Sequence, residues 1–265
     1  MTSTDMTLLD FSVERREWDG VFEYIDCRKA LSPSKLPEMD YALNPYTGCE
    51  HGCLYCYGPG VVHADASTWR MVRVKRNIPE RLSRELPSVD GIIGIGTVTD
   101  PYQYAEGRFM LTRMCLEVIA RNDREIHLHT KSDLVMRDAE LLSTIRGVVG
   151  ITVTTLDDRV SKMTEPGAPL PARRLEAMTA LHDAGVRVYA LVAPVMSTLD
   201  GHCGELTDAI RATGVDIVYY NPLHFRNVDP SRIMRMGISG SETAERELLT
   251  EGRNRGLDIR HVFKP

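Results

Sequence analysis

Three cysteines fall within eight residues of this chain: Cys49, Cys53 and Cys56, in the stretch NPYTGCEHGCLYCY from Asn44 to Tyr57. The spacing Cys-x3-Cys-x2-Cys on a loop lets thiolates converge on one metal centre. A closed structural zinc site takes four ligands, and a four-iron cluster is usually held by four cysteines. This loop supplies three. One metal position is then left for an exogenous ligand, which chemistry at a cluster requires. Completion by His51, His63 or Cys27 would instead make a structural zinc site. Of the other thiols, Cys115 sits in a predicted helix, and Cys203 follows a predicted strand in DGHCG, Asp200 to Gly204.

Charge and hydropathy narrow the classes. With 32 Lys+Arg against 37 Asp+Glu, the net charge is −5, which disfavours a large non-specific nucleic-acid binder. The one basic run, Trp69 to Arg76 (WRMVRVKR), puts Arg70 and Arg76 on one parity and Arg73 and Lys75 on the other. It reads as a solvated basic edge. No run approaches the ~18 apolar residues of a membrane span. The first ten residues are polar and acidic, unlike an export signal. Clustered cysteines suit a reducing compartment, so the expected location is cytoplasmic.

The elements that must position the cysteines alternate. Apolar, β-branched runs at Tyr41–Thr47, Gly91–Val98, Glu125–Thr130, Val149–Thr155, Val186–Val195 and Val215–Tyr220 read as strands. Between and after them, Ile78–Leu86, Glu106–Arg121, Pro171–Ala184, His202–Thr213 and Glu242–Arg255 read as helices, three of them stopped by Gly185, Gly214 and Gly256. Six strand-then-helix units imply right-handed crossovers and a parallel sheet. A full eight-unit barrel takes about 250 residues, and some forty precede the first strand. The expected fold is therefore α/β, a partial (β/α)6 open barrel, with a doubly wound sheet as the alternative. Residues 1–40 read as an irregular extension, 41–226 as the core, and 227–265 as a segment completing or capping it.

In such folds ligands gather at the C-terminal strand ends. Those ends carry the cysteines, then Thr97, Thr99 and Asp100, then Thr130, Lys131 and Ser132, then Thr152, Thr154 and Asp157, then Pro194 and Met196, then Asn221 and His224. The cysteine loop, with an aromatic before its last Cys, resembles the signature of the radical SAM superfamily. The wider wording looks like the branch related to spore photoproduct lyase, often labelled DNA repair photolyase. The matching stretches are NPYTGCEHGCLYCY, GTVTDPYQYAE (Gly96–Glu106), TKSDLVMRD (Thr130–Asp138), TVTTLD (Thr152–Asp157), Glu165–Leu181 and Ala193–Leu199.

The resemblance implies a [4Fe-4S] cluster on Cys49, Cys53 and Cys56. Its fourth iron would chelate S-adenosyl-L-methionine (SAM), and reduction would yield a 5'-deoxyadenosyl radical that abstracts hydrogen from a substrate. It places Tyr55 beside the adenine and the backbone around Tyr57 at the adenine edge. Thr97, Thr99 and Asp100 would hold the SAM amino group, and Lys131 with Ser132 the carboxylate. Thr152 and Thr154, on one parity, would meet the ribose, and Val192 to Val195 the adenine. It also implies an external electron donor of flavodoxin or ferredoxin type and an oxygen-sensitive protein. The substrate is not legible in the sequence.

One departure matters. Spore photoproduct lyase has a cysteine hydrogen donor near the segment matching Gly96–Asp100, and this chain has none there. Cys203 is the candidate donor on the expected active-site side, with Tyr102, Tyr104, Tyr219 and Tyr220 as others. Lesion repair therefore competes with modification of another substrate, with activation of a partner protein, and with a metal-stabilised binding module that does no chemistry.

Overall fold

The computed structural model describes residues 13–18, 22–225 and 228–262. Its strands are β1 (Val13–Trp18), β2 (Glu23–Cys27), β3 (Leu31–Pro33), β4 (Tyr41–Leu43), β5 (Tyr46–Thr47), β6 (Arg73–Lys75), β7 (Ile93–Ile95), β8 (Ile126–Thr130), β9 (Gly147–Thr152), β10 (Val188–Val195), β11 (Ile217–Pro222) and β12 (Asp258–His261).

The main sheet has eight strands in the order β12-β11-β10-β9-β8-β7-β4-β3. From β4 to β12 the pairs are parallel, and β3 joins β4 antiparallel. Five of the six predicted strands lie in it, in sequence order, while the first, expected over Tyr41–Thr47, is split into β4 here and β5 in a second sheet; the main sheet stays open at its edges. Register divides its residues between two faces. Ile93, Ile126, Leu128, Val149, Ile151, Ala190, Val192 and Val218 belong to the main apolar cluster, with Leu116, Ile119, Met178, Leu181, Leu206, Ile210 and Leu248 of the helices. The opposite parity carries Gly94, His127, His129, Gly150, Tyr189, Tyr219 and Arg260, each paired in register with its neighbour or one step away. A core on one side and a polar row on the other suits an open barrel better than a doubly wound sheet, which is apolar on both faces.

Two expectations need correction, and the segment expected to complete or cap the core gains a strand. The described part of the N-terminal forty residues, expected to be irregular, carries β1, β2 and β3. β1 and β2 pair with each other, and β2 with β6, in a second sheet of order β1-β2-β6-β5. Their local pattern is weak because the ladder is supplied by a distant strand, and Pro33 is tolerated because β3 is an edge. The tail after Gly256 contributes β12, a seventh parallel strand, whose polar, half-exposed residues hid it. The helix expected over Glu106–Arg121 is two, Tyr104–Phe109 and Leu111–Arg121, broken where Met110 adopts φ 52°. The buried Glu106 carboxylate accepts from the backbone N–H groups of Thr112 (2.9 Å) and Arg113 (3.2 Å), capping the second helix.

The basic run is not a free edge either. Arg73 pairs with Glu23 at 2.9 Å and Arg76 with Asp26 at 3.0 Å, while Lys75 Nζ donates to the Asn44 carbonyl at 2.9 Å. These cations are spent holding β6 to β2 and to the segment before the cysteine loop.

Candidate functional site

The cysteine loop is clamped on three sides. The Cys49 N–H donates to the Trp69 carbonyl at 2.9 Å. Gln103, fully buried, accepts from the Glu50 N–H at 2.8 Å and donates to the Gly48 carbonyl at 3.1 Å. The Leu54 N–H donates to the Thr164 carbonyl at 2.8 Å, and the Gly167 N–H to the His51 carbonyl at 2.9 Å. Gly48, at φ +87°, has no room for a side chain: a Cβ there would stand 2.7 Å from the Trp69 and Met71 carbonyl oxygens. Gly48→Ala is therefore expected to cost about 1–3 kcal/mol and to displace Cys49, seen as a lower Tm together with less iron bound per chain.

Cys49 and Cys53 are buried and Cys56 half-buried. The Cys53 thiol is pushed up to about 12 and Cys49 well above its ordinary value, chiefly by burial, with Asp100 and Cys53 adding to the rise at Cys49, and with Glu165 and Cys56 raising Cys53 against Lys131. Cys56 is raised by burial too, opposed by the Gly58 N–H, Lys131 and the Trp69 indole. Three thiols this close and this dry become thiolates only with a cationic group among them. The Trp69 indole borders Cys56, and at the next strand end Thr99 Oγ1 is buried without a hydrogen-bond partner. A cavity of about 290 Å³ opens beside Cys56, walled by Leu54, Pro59, Gly60 and Arg232.

Closure by a further protein ligand finds no support. Cys27 Sγ lies 3.3 Å from Asn77 Oδ1 within the main core, and His63 is exposed. The buried His51 faces Asp100, Nδ1 to Oδ2 at 3.4 Å. Among the described residues, no three His, Cys, Asp or Glu side chains could hold a single metal ion. In a four-iron cluster each cysteine binds a different iron, so that geometry asks for no common point.

Asp100 organises the next strand end. Its carboxylate accepts from the Thr130 hydroxyl at 2.7 Å, from the Lys131 N–H at 2.8 Å and from the Tyr102 N–H at 2.9 Å. These bonds tie Asp100 into the turn that follows β7 and join it to the end of β8. Ser132 accepts from the Leu134 N–H at 3.2 Å, a cap. The Lys131 ammonium stands 5.6 Å over the Tyr55 ring. Burial opposes its charge, but Cys53 and Glu165 outweigh burial and raise its pKa. Thr97 Oγ1 accepts from the Asn44 amide at 3.2 Å, and the half-exposed Tyr57 hydroxyl donates to the Thr97 carbonyl. Thr152 and Thr154 are buried, and Thr154 Oγ1 donates to Glu165 Oε1 at 3.1 Å. Val192 is a core residue. Immediately after it the pairing of β10 with β11 slips before resuming at Val195, opening the ladder there.

Cys203 is not brought to this cluster. It starts the helix Cys203–Ala212, fully buried, with Sγ 3.3 Å from the Ala244 carbonyl and 3.5 Å from that of Leu199. It packs as a core thiol.

Two residues at the centre received no role from the sequence. Glu165 and Arg174 form an ion pair, both almost wholly buried. Glu165 also accepts from the hydroxyls of Tyr55 and Thr154. Arg174 donates to the carbonyls of Pro169 (2.7 Å) and Thr152 (3.2 Å). Burial opposes the Glu165 charge, but Arg174 and Lys131 outweigh it and lower its pKa. Both residues fall in a stretch that matched the family. What hid their roles was separation: Glu165 lies 110 residues beyond Tyr55.

Known proteins resemble this chain in sequence and in fold. The model of the Radical SAM superfamily matches residues 43–218. An uncharacterized protein of Methanocaldococcus jannaschii is 32% identical over 180 residues, 66% of this chain and 68% of that protein. An uncharacterized protein of Mycobacterium tuberculosis is 32% identical over 236 residues, 81% and 69% of the two chains. Among solved structures, spore photoproduct lyase complexed with dinucleoside spore photoproduct superposes with TM-score 0.67 at 15% identity, covering 89% of this chain and 80% of that one. Streptococcus suis SuiB bound to S-adenosylmethionine superposes with TM-score 0.58 at 13% identity, covering 84% and 50%. The three-cysteine loop at the head of a parallel sheet, with the family match spanning most of that sheet, shows that this chain belongs to the radical SAM superfamily.

Proposed function

We propose that this protein is a radical SAM enzyme that holds a [4Fe-4S] cluster on Cys49, Cys53 and Cys56, and SAM beside it. The observation that carries the reading is the trio of cysteines on one loop, two buried and one half-buried, with the half-buried Lys131 acting on Cys53 and Cys56. The bound group would supply reductive cleavage of SAM and a 5'-deoxyadenosyl radical for hydrogen abstraction. The chain's own part is binding, orientation and exclusion of water. Lys131, anchored through its backbone by Asp100 and lying against Tyr55, would pair with the SAM carboxylate. Thr99, whose hydroxyl has no protein partner, would take the amino group with Thr97. The threonines at 152 and 154 would border the ribose, and the opened ladder after Val192 would offer backbone groups to the adenine. Tyr55 and Tyr57 would flank it. An external one-electron carrier of flavodoxin or ferredoxin type would reduce the cluster.

The test is anaerobic reconstitution with iron and sulfide, followed by SAM and dithionite. About four irons per chain and formation of 5'-deoxyadenosine are expected. Zinc without iron would overturn the reading in favour of a binding module. Lys131→Met is expected to weaken SAM binding at least about tenfold, since a charged hydrogen bond contributes roughly 1.5–3 kcal/mol. Titration of the reconstituted protein with SAM measures it.

A further inference from the structure

The polar face of the sheet carries a constellation that cluster and SAM binding do not use. His127 and His129 sit two residues apart on β8, and both Nε2 atoms meet the hydroxyl of Tyr189 on β10, that of His127 at 2.6 Å. The space between the strands is left by Gly150 of β9, where a Cβ would fall 2.5 Å from Tyr189 Cζ. Tyr189 is 4% exposed. Its ring meets Tyr219 of β11 edge-on at 4.9 Å, and the Tyr219 hydroxyl lies 3.4 Å from Arg260 of the edge strand β12.

A phenol between two imidazoles can donate its O–H to only one of them. The other ring must donate its own N–H to the phenol oxygen. One imidazole nitrogen is thus a base aligned on the phenolic proton, and burial keeps both rings neutral, lowering the pKa of His129 to about 3. Three other phenols, buried or half-buried, differ. Tyr46 and Tyr102 face Glu106 and Asp138, each already paired with Arg137, and Tyr55 faces the Arg174-paired Glu165. Position matters as well. His127 and His129 alternate on β8 and so face one way, and Lys131, which follows that strand directly, acts on His129 electrostatically. The Tyr189 layer lies one step below Lys131, roughly 7 Å.

We infer that Tyr189 is a hydrogen-atom donor to a carbon-centred radical formed above it, with His129 and His127 managing its proton. This rests on the function proposed above, and it fills the donor role for which the chain has no cysteine near Gly96–Asp100. The step balances: the phenolic O–H turns from the imidazole that accepts it toward the radical carbon, the O–H bond breaks as a C–H bond forms, and Tyr189 is left as a neutral phenoxyl whose oxygen still accepts from the other imidazole. One electron from the carrier that serves the cluster (dithionite in vitro), with one proton returned through the imidazoles, restores the phenol. Tyr219 is the aromatic step toward the sheet edge.

Two readouts on the full-length chain test it. In the cluster-free protein, flash oxidation by a ruthenium photosensitiser should give a tyrosyl radical in the electron paramagnetic resonance spectrum. Its yield should fall at least about threefold in Tyr189→Phe, and its solvent deuterium isotope effect should change in His129→Gln. Tyr189→Phe keeps the ring on Gly150, and its melting temperature checks that the fold survives. In the reconstituted protein with SAM and dithionite in D2O, the deuterium fraction of whatever 5'-deoxyadenosine forms should drop at least about threefold in Tyr189→Phe. An unchanged radical yield, or an unchanged deuterium fraction, overturns the donor role and leaves the proposed function standing. Absence of 5'-deoxyadenosine from the loaded wild type overturns that function and the donor role with it.

Discussion

A Cys53→Ala variant, reconstituted with iron and sulfide, is expected to retain little iron and to form no 5'-deoxyadenosine above a protein-free control. Cys53 is 8% exposed on a loop held by backbone bonds from Trp69 and Thr164, so the loop keeps its path when one sulfur is lost. Loss of an outer-shell partner at a metal site costs roughly 10–100-fold. Loss of a ligand should then exceed about 100-fold in cleavage rate. The contrasting variant is Cys203→Ala. That thiol touches the Leu199 and Ala244 carbonyls in the core, so its removal should lower stability by about 1 kcal/mol and leave the iron content alone. Equal iron in wild type and Cys53→Ala would withdraw the cluster assignment. Iron lost equally from both variants would trace the effect to folding.

The second large effect is on stability. Arg174→Ala should destabilise the protein by about 3–5 kcal/mol, a large share of the roughly 5–15 kcal/mol that holds a domain together. The reason is the residue left behind. Glu165 is fully buried, and without the guanidinium its charge keeps only Lys131 nearby. The pH dependence has a definite sign. In the wild type the folded Glu165 pKa is lowered by Arg174 and Lys131 against burial. Its stabilising share is therefore present above the unfolded pKa of about 4.3 and is lost as the pH falls through the lower folded value. In the variant burial prevails and the folded pKa rises, so Glu165 takes up a proton at higher pH. The deficit against wild type should then narrow between pH 7.5 and pH 5, measured by urea unfolding at each pH. A deficit under about 1 kcal/mol at pH 7.5 would show that the pair is solvated. Because Thr164 and Gly167 hold the cysteine loop, the variant should also release iron faster.

Much of the architecture was legible because it rests on local regularity. Alternating apolar runs and amphipathic segments announced the parallel strands in their order, and glycines marked where helices stop. The three-cysteine loop was legible for the same reason, since its ligands lie within eight residues. Where the pattern was faint, the reading fell short. β12 has the exposed sequence of an edge, β1 and β2 depend on β6 for their ladder, and the helix break at Met110 is made by Glu106 folding back on the next turn.

The sequence by itself determined the cysteine loop, the succession of strands and the set of polar residues at the strand ends. Spacing and periodicity are properties of neighbours along the chain. Tertiary structure alone decided what those residues meet. It sealed Glu165 against Arg174 beneath Tyr55, tied Asp100 to the Lys131 backbone, buried Cys203 in the core and set Tyr189 between two histidines of another strand. Each of these depends on which segments the sheet brings side by side. The cost of an unpaired charge or hydroxyl is levied only after the chain has closed over it.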